Sequence, residues 1–598
     1  MIIRFGYGAI AIPFGVFVIY LIRGFIQPGQ TTNWKNWLLP AAAILLGSLW
    51  VLSIEPFSLK IISDEALIAS TGQMMHAQRV PAVPQVGNWS SSTFVMGEAF
   101  LDKRPFFLPF LISILHDLKG YQFQNIFVLN AGLTALFLGI SWGLVSRFAS
   151  RQAALLFLIL IIFFPVLGQG ATSGNASILN ITLISASIFL ALLYYEQPDE
   201  RRLTPLVYAL ILLAQTRYES SVLILPFGIF IIAGWMKVRR IIMPIPVAVS
   251  PLFLILTAIH QRYALEFGKF YWQAGPGGRS DTFSLEYLGI NLRSTWDFAF
   301  SLGTNHPNSP ILSILGTSGL AVLLGGLLLR KIPADKRPVI FLLIALFLHN
   351  FATILFFNFG IFTEYTTSRL SLPFHYFLAL FAVLAFHYLP KHLIRLAIIL
   401  LVAVIFVQTY PYTKANWESN GIVILFTLLG GLGGGFFLLE KGRAHSWKFS
   451  AVTLILSLVF ITPKLRNQSY SHAYAPSKSV ALSMDFIREN AAIDTLFLHE
   501  SPIIPILLKQ NGAHPGAFFN SAQRRPIIEE GHYQHVYYLY NKIDNASPDA
   551  VLGSRDWMKP PDEFEAIPIT QTRLTEGFFF KVVELKLSTK DPIEANDE

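Results

Sequence analysis

The sequence predicts a polytopic α-helical membrane protein that carries a soluble domain after its last span. Three observations lead there. Of 598 residues, 53% are hydrophobic and only 14% are charged, against about 25% charged in an ordinary soluble domain. Uncharged apolar runs of about 17 to 23 residues, long enough to cross a bilayer, recur from near the N-terminus to about residue 462. Charge is confined to the gaps between them until the composition changes near residue 475. A soluble multidomain protein and a disordered chain are excluded, and with no cysteine so is a disulfide scaffold.

The apolar runs give about 13 or 14 candidate spans. They lie near 5–22, 37–54, 122–146, 152–167, 175–195, 203–216, 220–236, 241–260, 311–329, 338–357, 370–389, 393–408, 421–439 and 449–462. The first is too long for a signal peptide and no small-residue cleavage pattern follows it, which predicts a retained helix. The net charge of +9 does not point to nucleic acid, because the basic residues sit in short connections: Arg147 and Arg151, Arg201 and Arg202, Lys237 to Arg240, Arg330 to Arg337, Lys391 and Arg395, Lys441 to Lys448. Lys/Arg excess in alternate short loops marks the cytoplasmic side. The remaining connections, and everything after about 465, then face outward. Two of these are long, 55–121 and 261–310; 168–174, the turn Thr216 to Glu219, and Phe359 to Arg369 are short. The same count puts the N-terminus outside despite Arg4. An outward-facing chain without cysteine suits a bacterial inner membrane, with the outer loops and tail in the periplasm.

Two domains are therefore expected: a transmembrane domain over 1–470, with 55–121 and 261–310 as its major outer loops, and an extracytoplasmic domain over 471–598. In the tail, Ser477 to Asn490 has helical apolar spacing, and strand-like runs follow at Thr495–His499, Val536–Tyr540 and Phe578–Leu587, predicting a small α/β or α+β domain. The glycines at 430, 431 and 433 to 435 fall inside a span, where small residues allow close helix packing.

No Asp, Glu, Lys or Arg falls near the middle of a predicted span; only His349, and His375 and His387 nearer span ends, are titratable there. Transporters and pumps keep ionisable groups at membrane depth, so the pattern favours a site at the outer surface. The first long loop is the densest candidate. Ser63-Asp64-Glu65 opens a predicted helix running to about Gln78, with Ser63 as cap and acids in the first turn; its apolar residues would let it lie along the membrane interface. The loop continues through Trp89 and Glu98 to Asp102-Lys103-Arg104-Pro105, then to an apolar amphipathic stretch, Phe106–Leu118, too short to span. The plainer alternatives are helix capping for Asp64 and Glu65 and a solvated charge run for Asp102 to Arg104. Arg217-Tyr218-Glu219 sits in an outer turn, where a paired interfacial anchor is the alternative, as it is for Glu364-Tyr365 beside Arg369. Trp89, Trp272 and Trp296 could stack on a sugar or serve an interfacial belt.

The order of these elements, an Asp-Glu pair after an early span, a second acid beside Lys and Arg before Pro105, an interfacial helix, a Gly-Tyr turn (Gly120-Tyr121) and the next span, resembles the GT-C superfamily of polyprenyl-phosphate-sugar-dependent glycosyltransferases. Aminoarabinose transferases and protein O-mannosyltransferases are the nearest in pattern. Ser63 to Leu67, Asp102 to Pro105 and on to Asn130 carry the resemblance, with Thr367 to Pro373 as a second match at the basic residue opening a late span. Relatives commonly show acid-Lys-Pro, whereas here Arg104 intervenes before Pro105, and one additional span precedes the Asp-Glu loop.

The resemblance implies a GT-C-like membrane domain with interfacial helices and an enzyme that moves a hexosyl or pentosyl group from a polyprenyl-phosphate donor to a hydroxyl of a lipid, polysaccharide or protein. Such chemistry needs a carboxylate to accept a proton and cations for the departing phosphate. Asp64 is the expected base and Asp102 the second carboxylate. Lys103 or Arg104, with Arg369 and Arg217, are expected to hold the lipid phosphate. Glu65, Glu98, Tyr218, Glu219 and Tyr365 are secondary candidates. No cofactor is required; a divalent cation on Asp64 is possible, as related oligosaccharyltransferases suggest. His532-Tyr-Gln-His535 lacks a clear third ligand, so no metal site is assigned. The expected partners are the lipid-linked donor, its acceptor and membrane lipids, with no nucleic acid. A lipid-linked-sugar flippase and an oligosaccharide polymerase or ligase are the competing readings.

Overall fold

The computed structural model describes residues 2–25, 35–90, 92–97, 99–271, 279, 281–301, 306–388, 475–522, 524–543, 560–575 and 578–588. The expected spans at 393–408, 421–439 and 449–462, the glycines of 430–435, Glu98 and Trp272 lie outside them. In chain order the helices are α1 (Ile2–Phe5), α2 (Gly8–Phe25), α3 (Lys35–Ser53), α4 (Ile62–Gln78), α5 (Phe107–Lys119), α6 (Asn125–Phe148), α7 (Arg151–Ile162), α8 (Pro165–Ala171), α9 (Ser177–Glu196) and α10 (Glu200–Ala214). They continue as α11 (Ile224–Val238), α12 (Ile245–Val249), α13 (Leu252–Tyr271), α14 (Tyr287–Phe300), α15 (Pro310–Leu328), α16 (Arg337–Phe356) and α17 (Ser371–Tyr388). The tail adds α18 (Ala475–Glu489), α19 (Ile503–Leu507), α20 (Pro515–Phe519) and α21 (Arg524–Glu529). The chain forms two compact units: a helical one of 8–57 and 127–469, and a mixed one of 1–7, 58–126 and 470–598.

Among the described residues eight helices are long and apolar enough to cross a membrane, or up to nine if the bent pair α7–α8 is one span. This is a multi-pass membrane protein. In the helical unit the most apolar stretches of α9 and of the helix ending in α17 are 89% buried, whereas that of α12–α13 is 17% buried. The first two are central to the bundle; α12–α13 turns apolar side chains such as Ile245 and Leu252 outward, as expected of a helix solvated by lipid. Helices α15 and α17 touch backbone to backbone: a Cβ at Gly319 would stand 2.6 Å from the Phe381 carbonyl oxygen. Small residues permit that approach. The expected short loop at 168–174 is mostly helix, because Pro165 starts α8 after a 76° bend.

The mixed unit is built on a seven-stranded sheet in the order β2-β1-β4-β3-β5-β7-β6, where β1 is Val86–Ser90, β2 Thr93–Gly97, β3 Thr495–His499, β4 Asn511–Ala513, β5 His535–Ile543, β6 Phe564–Thr575 and β7 Phe578–Leu587. Strands β4, β3 and β5 are parallel and the other pairs antiparallel. The hairpin β1–β2, absent from the sequence reading, thus joins the first outer loop to the tail in one sheet. Trp89 fixes the junction: its backbone N–H donates to Asn511 Oδ1 at 2.8 Å and its indole N–H to the Lys509 carbonyl at 2.7 Å. This tether gives Trp89 a structural role. Helix α4 packs between α5 and α19, so its residues from Glu65 to Met75 are buried on every face, not along one stripe.

Candidate active site

Within the mixed unit, the segment before α5 folds over the start of α4. Asp102 Oδ2 accepts the backbone N–H of Arg104 at 3.3 Å, an Asx turn that places the guanidinium beside its own carboxylate. Arg104 then bridges two acids. Its Nη1 donates to Asp102 Oδ1 at 2.7 Å, its Nε to Asp64 Oδ1 at 3.0 Å, and its Nη2 to the same Asp64 oxygen. The Asp102 and Arg104 side chains are 8% and 13% exposed, Asp64 25%, so this is a partly dry cluster with one face open at Asp64. Burial opposes the charge on Arg104, but the two carboxylates outweigh it and hold its pKa above the ordinary range. Lys103 is half-buried; burial first, then repulsion from Arg104, lowers its pKa, with Asp64 and Asp102 opposing. Two acids and two bases give the cluster no net charge.

Glu65 has a different task. Fully buried, it accepts the backbone N–H groups of Lys60 at 2.9 Å and Ile61 at 3.2 Å, tying off the start of α4. The residue at the N-cap is Ile61, with no side-chain cap; Ser63 lies inside the first turn, not at the cap expected of it. A buried carboxylate reaching back to unpaired helix donors satisfies them as well as a serine would.

In the helical unit, Arg217 and Arg369 line one cleft together with Ser177, Asn180, Glu219, Asn350, Thr353, Ile354, Phe357, Leu370 and Pro373. Arg217 donates through Nε to Glu219 Oε1 at 2.6 Å and reaches Ser177 Oγ at 3.5 Å. Asn180 Oδ1 accepts from Thr216 at 3.1 Å and Ser220 at 2.7 Å, which locks the turn carrying Arg217. Asn350 is 6% exposed, and its Oδ1 is buried without a hydrogen-bond partner. Tyr218 faces His260 instead, with its hydroxyl 3.0 Å from Nδ1, and Tyr365 is exposed; neither lines the cleft. His375, flagged as titratable at membrane depth, donates from Nδ1 to the Ser371 carbonyl at 2.9 Å and meets Ser313 Oγ at 3.3 Å, a satisfied core histidine.

The sequence reading missed Ser177, Asn180, Asn350 and Thr353. The available signal was a neutral amide inside an otherwise apolar span, as in Leu346 to Ile354, where polar groups cost free energy unless they have a use. His532 and His535, in the tail, pair with Glu530 at 3.0 Å and Glu584 at 2.7 Å respectively.

A divalent cation at Asp64 meets a poor fit. The two carboxylates that would share it are donated to by one guanidinium, and among the described residues no group of three or more His, Cys, Asp or Glu is arranged to hold a metal.

The sequence matches no protein-family model and no curated protein. Solved structures do resemble it. The structure of ArnT from Cupriavidus metallidurans bound to undecaprenyl phosphate aligns over 92% of this chain and 98% of that one, at 14% identity and a TM-score of 0.52. The chain has a GT-C fold. Lesser likenesses are to the arabinosyltransferase EmbB of Mycobacterium smegmatis, with 75% of this chain covering 43% of that one at 13% identity and a TM-score of 0.45, and to the Archaeoglobus fulgidus oligosaccharyltransferase, with 83% covering 67% at 12% identity and 0.41. The ArnT likeness and the mixed parallel and antiparallel sheet of the C-terminal part agree with the fold expected from the sequence, a GT-C-like membrane domain followed by an α/β or α+β domain. In this chain two apolar helices, α2 and α3, precede the Asp-Glu segment.

Proposed function

We propose that this chain is an integral-membrane glycosyltransferase that moves one sugar from a polyprenyl-phosphate donor to an acceptor hydroxyl on the extracytoplasmic face of a bacterial inner membrane. The observation that carries the reading is the bridging of Asp64 and Asp102, from opposite sides of the β1–β2 hairpin in the sequence, by Arg104 next to a half-buried lysine, in a chain whose fold matches ArnT nearly end to end. That ArnT structure holds undecaprenyl phosphate, the class of carrier proposed for this chain.

In this reading the acceptor oxygen attacks C1 of the sugar, the C1–O bond to phosphate breaks, and the acceptor's proton passes to the Asp64 carboxylate. The electron pair of the broken bond leaves on the carrier phosphate. Glycosyl transfer passes through a state with oxocarbenium character, so the hydroxyl becomes acidic as the new bond forms and a carboxylate shared with Arg104 suffices as base. Asp102 keeps Arg104 oriented, and Arg104 keeps Asp64 oriented; within the mixed unit the phosphate-holding role falls to Lys103 through charge-assisted hydrogen bonds, and in the helical unit's own cleft Arg369 and Arg217 are the candidates for an anionic group of the carrier. One displacement with no enzyme nucleophile inverts the anomeric carbon.

The test uses purified protein with a radiolabelled polyprenyl-phosphate sugar and an extract of envelope acceptors. Release of free polyprenyl phosphate, labelling of an acceptor and an inverted linkage by NMR are expected. Movement of intact donor across a vesicle membrane with no release of carrier phosphate would instead establish the flippase.

A further inference from the structure

We propose that Arg104 is the resident cation of the Asp64–Asp102 pair, a covalently attached group standing where an exchangeable divalent ion would otherwise serve these carboxylates. Three features lead to it. The Arg104 side chain does not turn to solvent: it is 13% exposed and spends Nε, Nη1 and Nη2 on the two acids. It is anchored by its own backbone N–H on Asp102, so its position follows from the Asx turn and not from a long flexible stem alone. Finally, its charge survives burial, because the carboxylates raise its pKa.

A guanidinium and a divalent ion compete for the same lone pairs. Asp64 Oδ1 accepts two N–H groups and Asp102 Oδ1 a third, and a cation entering between them would have to sit against a fixed positive charge a few ångströms away. In a half-dry site that repulsion is large. Arg104 also brings planar geometry, orienting each acid through directed hydrogen bonds where a metal would hold it by charge and distance. Arg104 is thus a positioning residue for Asp64. The inference goes beyond the glycosyltransferase reading and rests on it only for what the oriented carboxylate does.

Manganese alone, added to chelator-treated full-length protein and followed by its EPR signal, tests it. The wild type should take up no manganese that Asp64→Asn removes. Arg104→Gln, which shortens the side chain and deletes the charge, should gain a site binding about a hundredfold or more tighter than any in the wild type, lost again in Arg104→Gln/Asp64→Asn. Arg104→Lys keeps a positive charge and should gain none. A stoichiometric manganese ion on the wild type that disappears with Asp64→Asn overturns the proposal, as does a folded Arg104→Gln that gains nothing. If Arg104→Gln does not fold by thermal melting, the wild type against Asp64→Asn still decides. Absence of sugar transfer with the manganese pattern as expected would sink the enzyme reading and leave this one standing.

Discussion

The mixed unit and the helical unit build polar sites in opposite ways. In the mixed unit four charged side chains, Asp64, Asp102, Lys103 and Arg104, lie together and cancel. In the helical unit the polar lining of the cleft is mostly neutral, with Ser177, Asn180, Asn350 and Thr353 beside the Arg217–Glu219 pair and Arg369. The difference follows from the solvent each was folded for. A charge inside an apolar bundle is expensive unless paired, so there the cheapest polar group is an amide or hydroxyl, placed on a helix that stays apolar elsewhere. Outside the spans, charges can be gathered freely, and their cost is met by mutual pairing.

If the charged cluster carries the proton chemistry and the cleft carries recognition, substitutions in the two units should fail differently. Asp64→Asn, close in shape to the original, should lower kcat by about 10²–10⁴ with KM for the lipid donor nearly unchanged. A loss confined to KM would break the division of labour. The next effect concerns stability. His499 ends β3, accepts the Ser501 N–H on Nδ1 at 2.9 Å and lies 3.2 Å from Ser483 through Nε2; burial depresses its pKa from 6.5 to about 4. The folded form therefore resists protonation while the unfolded chain takes up a proton below pH 6.5. Stability is fully present above that pH and falls between 6.5 and 4, by up to about 3 kcal/mol. His116 in α5, also depressed to about 4 by burial, adds to the same slope. Melting curves of His499→Gln against pH should be flatter than those of the wild type; an unchanged slope would remove His499 from the account.

Arg369→Gln should act on the other side of the comparison, raising KM for the donor by about 10–100-fold, the worth of one charge-assisted hydrogen bond to phosphate, with kcat within a few-fold. A fall in kcat equal to the rise in KM would make Arg369 part of the bond-breaking step.

The charged half of this picture was legible in the sequence and the neutral half was not. Asp64, Asp102, Lys103 and Arg104 stand out because a membrane protein has few charges to choose from, and their loop position follows from the spans on either side. Which of Lys103 and Arg104 faces the acids is not legible, since it depends on an Asx turn. The tail strands Thr495–His499 and Phe578–Leu587 announce themselves by apolar, β-branched and aromatic content, whereas β4 is Asn-Gly-Ala and is a strand only because β3 and β1 flank it. The joining of β1 to the tail rests on contacts such as Trp89 to Asn511, 422 residues apart, beyond any local pattern. Glu65 is only a secondary candidate in the sequence; that it serves the backbone of Lys60 and Ile61 is a matter of three-dimensional reach.

The smallest expected effect is also the one that tells the two units apart most finely. Asn350 places an amide on an apolar span and leaves its Oδ1 dry and unpaired, which costs about 1–3 kcal/mol in the ligand-free protein. Leucine has nearly the same size and no such debt. Asn350→Leu should therefore raise the melting temperature of the ligand-free protein by a few degrees while weakening the glycosylated carrier about five- to tenfold, the worth of one ordinary hydrogen bond. The bare polyprenyl phosphate, held through Arg369, should bind as before. Thermal shift with each lipid reads all three. Should the variant be less stable and bind both lipids equally well, Asn350 is a packing residue and recognition in the cleft belongs to the cations alone. Should it be more stable and lose only the sugar-bearing lipid, the neutral lining of the helical unit is there for the sugar, and its cost to the fold is the trace of that use.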